Sequence, residues 1–227
     1  VTRAALLVLA DGRFPAGGHA HSGGAEQAVA AGRITDAASL AAYCRGRLHT
    51  AGLTAAALAA AACAGAEPLR LDEAADARTP SPALRATARR LGRQLLRAAR
   101  AAWPAAELDA LAGARPRGVH QPVVLGVAAR AAGLGPPDAS YAAGYEAVSG
   151  PATATVRLLG LDPFEATAVL ARLAPELDDV AARAATAGVR AAAGGRTDVD
   201  VLPAAGAPLL DIAAEEHAVR AARLFAS

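Results

Sequence analysis

"PALRATARRLGRQLLRAARAAWP", residues 82–104, carries the strongest period in the chain. Leu84, Ala88, Leu91, Leu95, Ala98 and Ala102 recur at alternating spacings of four and three, the apolar stripe of a helix. Arg85, Arg89, Arg93 and Arg97 form a neighbouring stripe at every fourth position, read here as a solvated face. Trp103-Pro104 ends the helix.

The same texture extends in both directions. Over the 227 residues, 54% are hydrophobic but only 3% aromatic, and alanine supplies most of the apolar count. Alanine is the best helix former and a poor strand former. No twofold alternation of apolar and polar residues stands out. The pattern predicts an all-α protein, a single helical-bundle-like domain of about ten helices. Asp36 or Thr35 caps a long helix to about Ala64, bent at Gly52. Within it, Leu48–Ala66 lacks Asp, Glu and Arg, but its alanines are too weakly apolar for a bilayer span, so it reads as a buried helix. Val119–Ala132 reads the same way. Ser149-Gly150-Pro151 and Pro175 read as breaks, so 138–148, 152–159, 163–173 and 175–192 are expected as separate helices.

Residues 194–207 have no helical period and are rich in glycine and proline, which reads as a flexible linker. The domain reading is therefore 1–193 for the helical body, 194–207 for the linker and 208–227 for a tethered amphipathic helix. Leu209, Leu210, Ile212, Val219, Leu224 and Phe225 supply that helix's apolar side. Two readings stand side by side: a helix docked on its own body, or one that orders in a partner's groove.

Net charge is +2 with arginine as the only long basic residue, and no nucleic-acid reader motif accompanies the basic stretch 78–100. Cys44 and Cys63 lack metal or redox spacing and suit a reducing compartment. The apolar run Ala4–Ala10 is at the short limit for a signal core and has no cleavage pattern behind it.

Special residues concentrate in "DGRFPAGGHAHSGGAEQAV", residues 11–29. His19, His21 and Glu26 suggest a metal site, the alternative reading of function, although no further ligand lies nearby in sequence. The glycines do not make a phosphate loop, which needs a Lys and a preceding strand. Ser22 lacks the flanking glycine of a nucleophile elbow. The reading favoured by the residues is a rigid corner: Phe14 and Pro15 dock, the glycines allow close backbone approach, and Ser22 starts a helix.

This stretch resembles the N-terminal signature of the urease accessory protein UreF family, roughly D-S-x-F-P-x-G-G-F-x-H-S-x-G-L-E. Asp11, Phe14, Pro15, Gly17, Gly18, His21, Ser22, Gly24 and Glu26 stand in matching places. "ARRLGRQLLRAA" and "HQPVVLGVAARAAGL" resemble its middle segments, Arg157 its later R-L stretch, and Pro208, Asp211, His217, Arg223, Leu224, Phe225 and Ser227 its ending. Departures are His19 for an aromatic, Pro163 and Thr167 for two glutamines, Glu215 for a Met and Ala218 for a Glu. Because His19 replaces an aromatic, the two-histidine pair is not an inherited nickel site.

The resemblance implies a non-enzymatic cytoplasmic homodimer that scaffolds nickel delivery to apo-urease. It implies binding of UreD (also called UreH) largely through the C-terminal region, recruitment of the GTPase UreG, and modulation of the GTP-dependent step. It implies no cofactor on this chain, with nickel passing through the complex, and neither nucleic acid nor membrane as partner. The residues it marks for partner binding are Phe14, Pro15, Gly17, Gly18, His21, Ser22, Glu26, Arg157, Asp211, His217, Arg223, Leu224, Phe225 and Ser227.

Overall fold

The computed structural model of the chain describes residues 4–225. Among them lie eleven α-helices and no strand. They are α1 (Ala4–Ala10), α2 (Ala25–Ala30), α3 (Ala37–Arg47), α4 (Leu53–Cys63), α5 (Pro68–Ala77), α6 (Pro82–Ala102), α7 (Ala106–Ala114), α8 (Gln121–Ala131), α9 (Pro136–Leu159), α10 (Pro163–Ala192) and α11 (Pro208–Ala218). The all-α expectation holds.

α3 and α4 form one continuous rod. Asp36 caps it: its carboxylate accepts from the Ser39 amide at 2.8 Å, and the Ser39 hydroxyl accepts from the Asp36 amide at 3.0 Å. A π turn at Leu48–Gly52 joins the two halves. Gly52, the site of the expected bend, ends that turn, and an added Cβ there would meet the Arg47 carbonyl at 3.1 Å and Ala147 at 3.2 Å.

α4 is the axis of the molecule. Thr54 and every residue from Ala56 to Cys63 are buried, so it is covered all round, by α8, α9 and α10. Its alanines give little area each, and the helices compensate by approaching closely. A Cβ on Gly126 of α8 would stand 2.1 Å from the Ala59 carbonyl. One on Gly188 of α10 would stand 2.6 Å from the Ala61 nitrogen. Two apolar cores result. One joins α4, α5, α6, α7 and α8; the other joins α2, α3, α9 and the first half of α10, and includes Phe225.

Two expected breaks are absent. α9 runs through Pro151 and α10 through Pro175. A proline leaves the carbonyl four residues earlier without its amide. At Pro151 that carbonyl belongs to Ala147, and Arg47 Nε donates to it at 2.9 Å. At Pro175 the carbonyl belongs to Ala171, an exposed residue on the water side of the helix. Packing against α4 holds both helices continuous, and local propensity yields to it.

The arginine stripe of α6 is the solvated face expected of it only in part: Arg93 and Arg97 are exposed, whereas Arg85 and Arg89 are half-buried. Arg85 donates to the carbonyls of Thr79 (2.7 Å) and Pro80 (2.9 Å). Arg89 pairs with Asp72 at 3.0 Å and with Asp76 at 2.7 Å, and Arg93 donates to the Arg117 carbonyl. The Arg89 hydrogen bond chiefly holds Asp76 down at about 2. Residues 196–207 carry no helix or strand, but Arg78 donates to the carbonyls of Val199 (2.6 Å), Leu202 (3.2 Å) and Pro203 (3.0 Å), and Leu202 is buried.

The close crossings yield a paired prediction. Gly126→Ala will lower stability by about 1–3 kcal/mol, since the methyl meets backbone that cannot rotate away. Gly46→Ala, in open space on α3, will raise it by about 0.5–1 kcal/mol. Urea midpoints of both variants check this; equal effects would contradict it.

Candidate functional site

The 11–26 corner packs against α6 and α3. The Phe14 ring stacks on Trp103 at the end of α6, centroids 5.6 Å apart. Gly17 has φ +81°, and a Cβ there would overlap Gln94 of α6. Gly24 has φ +86°, and a Cβ would stand 2.7 Å from the Tyr43 hydroxyl, which donates to the Gly23 carbonyl at 2.9 Å. The cap of α2 is Gly24, not Ser22. Ser22 still serves that helix from one turn before it: its buried hydroxyl accepts from the Glu26 amide at 3.3 Å. Pro15, Gly18 and His19 lie on the outside of the corner.

Glu26 then turns inward, toward the other end of the chain. His217 Nε2 stands 2.9 Å from Glu26 Oε2, the Leu224 amide donates to Oε1 at 2.7 Å, and the Phe225 amide donates to Oε2 at 3.0 Å. An ionised carboxylate only accepts, so the His217 proton sits on Nε2. Burial alone would raise the Glu26 carboxyl; the two amides and His217 outweigh it and hold it below the usual range. Glu26, His217 and Phe225 are all buried.

Other contacts clasp the tail along its length. Glu215 accepts from the Ser81 hydroxyl and, at 2.9 Å, from the Ala83 amide at the start of α6. Asp211 accepts from the Ser81 amide at 3.1 Å. Gln27 donates to Glu216 at 2.8 Å and accepts from Arg220 at 3.2 Å. The Arg157 guanidinium lies 5.5 Å from the centre of the Phe225 ring. The side of α11 away from the body leaves Leu209, Ile212 and Val219 exposed, with Leu224 exposed beyond it. Beneath the tail lies a cavity of about 630 Å³, with His21, Arg47, Arg90, Glu146 and His217 among the residues around it.

Sequence-marked residues are thus brought together in part. Ser22, Glu26, Arg157, His217 and Phe225 meet; Asp211 secures the same tail nearer the start of α11. Phe14 and Gly17 fix the corner against α6 instead. Among the described residues Arg223 donates to the Ala218 carbonyl at 3.4 Å, and Ser227 lies outside them. Sequence reasoning missed Ser81, Tyr43, Arg47 and Glu215. The Ser81-Pro82 pair does carry a helix-start signal, and Ser81 does cap α6.

The arrangement does not make a metal centre of His19, His21 and Glu26. Glu26 is occupied by the tail, His21 is buried and His19 is exposed. Among the described residues no three His, Cys, Asp or Glu side chains gather as a ligand set.

Acid will loosen this region. Burial, with the Arg90 and His19 charges, pushes the His21 imidazole down to about 4. The folded state therefore resists protonation that the unfolded chain accepts near 6.5. This contribution is complete above about pH 6.5 and is lost as pH falls toward about 4. Loss of the Glu26 charge then adds to it in stronger acid. We expect urea midpoints to fall between pH 7 and 4, and less steeply in His21→Asn. A His21 resonance titrating near 6.5 would contradict this.

The UreF family model matches residues 34–174. A urease accessory protein UreF of Mycolicibacterium vanbaalenii is 45% identical over 99% of this chain and 98% of its own length. One from a Mycobacterium species is 43% identical over 100% and 99%. That of Mycobacterium tuberculosis is 42% identical over 99% and 98%. With a clasped N-terminal corner, a docked C-terminal helix and these full-length similarities, the chain belongs to the UreF family of urease accessory proteins.

Proposed function

We propose that the protein acts by binding rather than by catalysis, as a cytoplasmic scaffold in urease maturation. In this reading it forms a homodimer, engages the UreD (UreH) accessory protein through its C-terminal segment, and recruits the GTPase UreG. It modulates the GTP-dependent transfer of nickel, which is cargo of the complex, into apo-urease. The observation that carries the reading is the outward side of the tail. Leu209, Ile212, Val219 and Leu224 are large, apolar and exposed on an element whose inner side seats Ala213, His217 and Phe225 on the body. Apolar side chains grouped in this way favour association with a complementary apolar groove.

The geometry alters which tail residues would meet UreD. Phe225 and His217, marked for partner binding by the resemblance, are occupied within the chain. Leu224, with Leu209, Ile212 and Val219, takes the anchoring role. The 11–26 corner and the dimer face are the proposed contacts for UreG, since Phe14, Pro15 and Gly18 give a fixed surface outline there. The stacking of Phe14 on Trp103 supports that rigidity.

The decisive experiment is co-purification of the chain with UreD and UreG, with and without GTP. Ile212→Ser combined with Val219→Ser should abolish UreD capture, and the urea midpoint should move by no more than about 0.5 kcal/mol equivalent. Phe14→Ala should weaken UreG recruitment while UreD capture persists. Undiminished capture by the double variant would reject the tail as the UreD site.

A further inference from the structure

Glu26 is on the second helix of the chain, while its three hydrogen-bond donors lie 191, 198 and 199 residues later. A single buried carboxylate thus closes the C-terminal segment onto the body. It satisfies two backbone amides and one imidazole that would otherwise need water. The Glu26 side chain is 9% exposed, so it offers no surface to another protein. The four apolar residues proposed to meet UreD are, by contrast, all exposed.

We propose that Glu26 is a positioning residue for assembly: it holds 208–225 in the conformation that the partner reads, without touching the partner. This rests on the function proposed above. The linkage is simple. When only the docked tail is competent, apparent affinity scales with the docked fraction, so a tail docked one-tenth of the time binds roughly tenfold more weakly. Partner binding, in return, stabilises docking by the same factor. Gln27, beside Glu26, supplies a means of separating holding from touching, since its side chain reaches Glu216 of α11.

The test uses the full chain, its Glu26→Ala variant, and that variant carrying Gln27→Cys and Glu216→Cys joined by a short bismaleimide. The native Cys44 and Cys63 are buried, and burial pushes both thiols up to about 11, so they compete poorly for the reagent. Amide exchange and affinity for purified UreD are measured on each. In Glu26→Ala, exchange should rise across 209–225 and stay slow in α4, and affinity should fall roughly tenfold or more. Cross-linking should restore most of that affinity. Unchanged tail exchange overturns the proposal, as does unchanged affinity. Affinity that falls and is not restored by the cross-link also overturns it, because Glu26 would then act by direct contact. If the unmodified chain does not bind UreD, the proposed function fails and this role fails with it, whereas the other outcomes reject this role alone.

Discussion

The architecture depends on the closeness with which α4 is approached. Most of its side chains are methyl groups, and the helices against it place Gly126 and Gly188 at the contacts. Methyl groups bury little area, and burial stabilises in proportion to area. Close approach recovers dispersion contacts that larger side chains would supply in an ordinary core. This packing also keeps α9 and α10 straight enough to run through Pro151 and Pro175. Of the two, α9 carries α2 and, through Arg157, the Phe225 ring, while the corner and α11 also rest on α6.

From that frame the site follows by a short chain of contacts. The carbonyl freed by Pro151 draws Arg47, which would lie within 3.6 Å of a Cβ on Gly23; the Pro151 ring would lie within 3.1 Å of it. Tyr43 fixes the same glycine pair through the Gly23 carbonyl. With the corner seated, α2 starts at Gly24 and Glu26 faces inward. The tail then has an acceptor to close upon. A helix interior, a proline and a glycine turn together decide where a carboxylate points.

Much of the fold was legible in the sequence because helical period and capping are local. The α6 stripe, the Asp36 cap and the buried Ala-rich rod all read correctly from residues within a few turns of one another. The two prolines misled for the complementary reason: the Arg47 guanidinium that compensates Pro151, and the packing against α4 that keeps α9 and α10 continuous, are not local. Arg85 and Arg89 of the stripe misled likewise, since their acceptors are carbonyls and carboxylates of the segment before α6. At the site, the signature residues Ser22, Glu26, His217 and Phe225 were marked, but their mutual contacts span most of the chain and no spacing rule reports them. The Ser81–Glu215 contact illustrates this further: Glu215 looked like a loss of the family's Met and is instead a cap partner for α6.

The central claim is that the C-terminal segment is an ordered part of the free protein's surface, closed by Glu26, before any partner arrives. Backbone ¹⁵N relaxation of the isolated full chain at neutral pH tests it most directly. Order parameters for residues 209–225 are expected near 0.85, matching α4 and α10. Values below about 0.6 across that segment, with a rigid body elsewhere, would contradict the account.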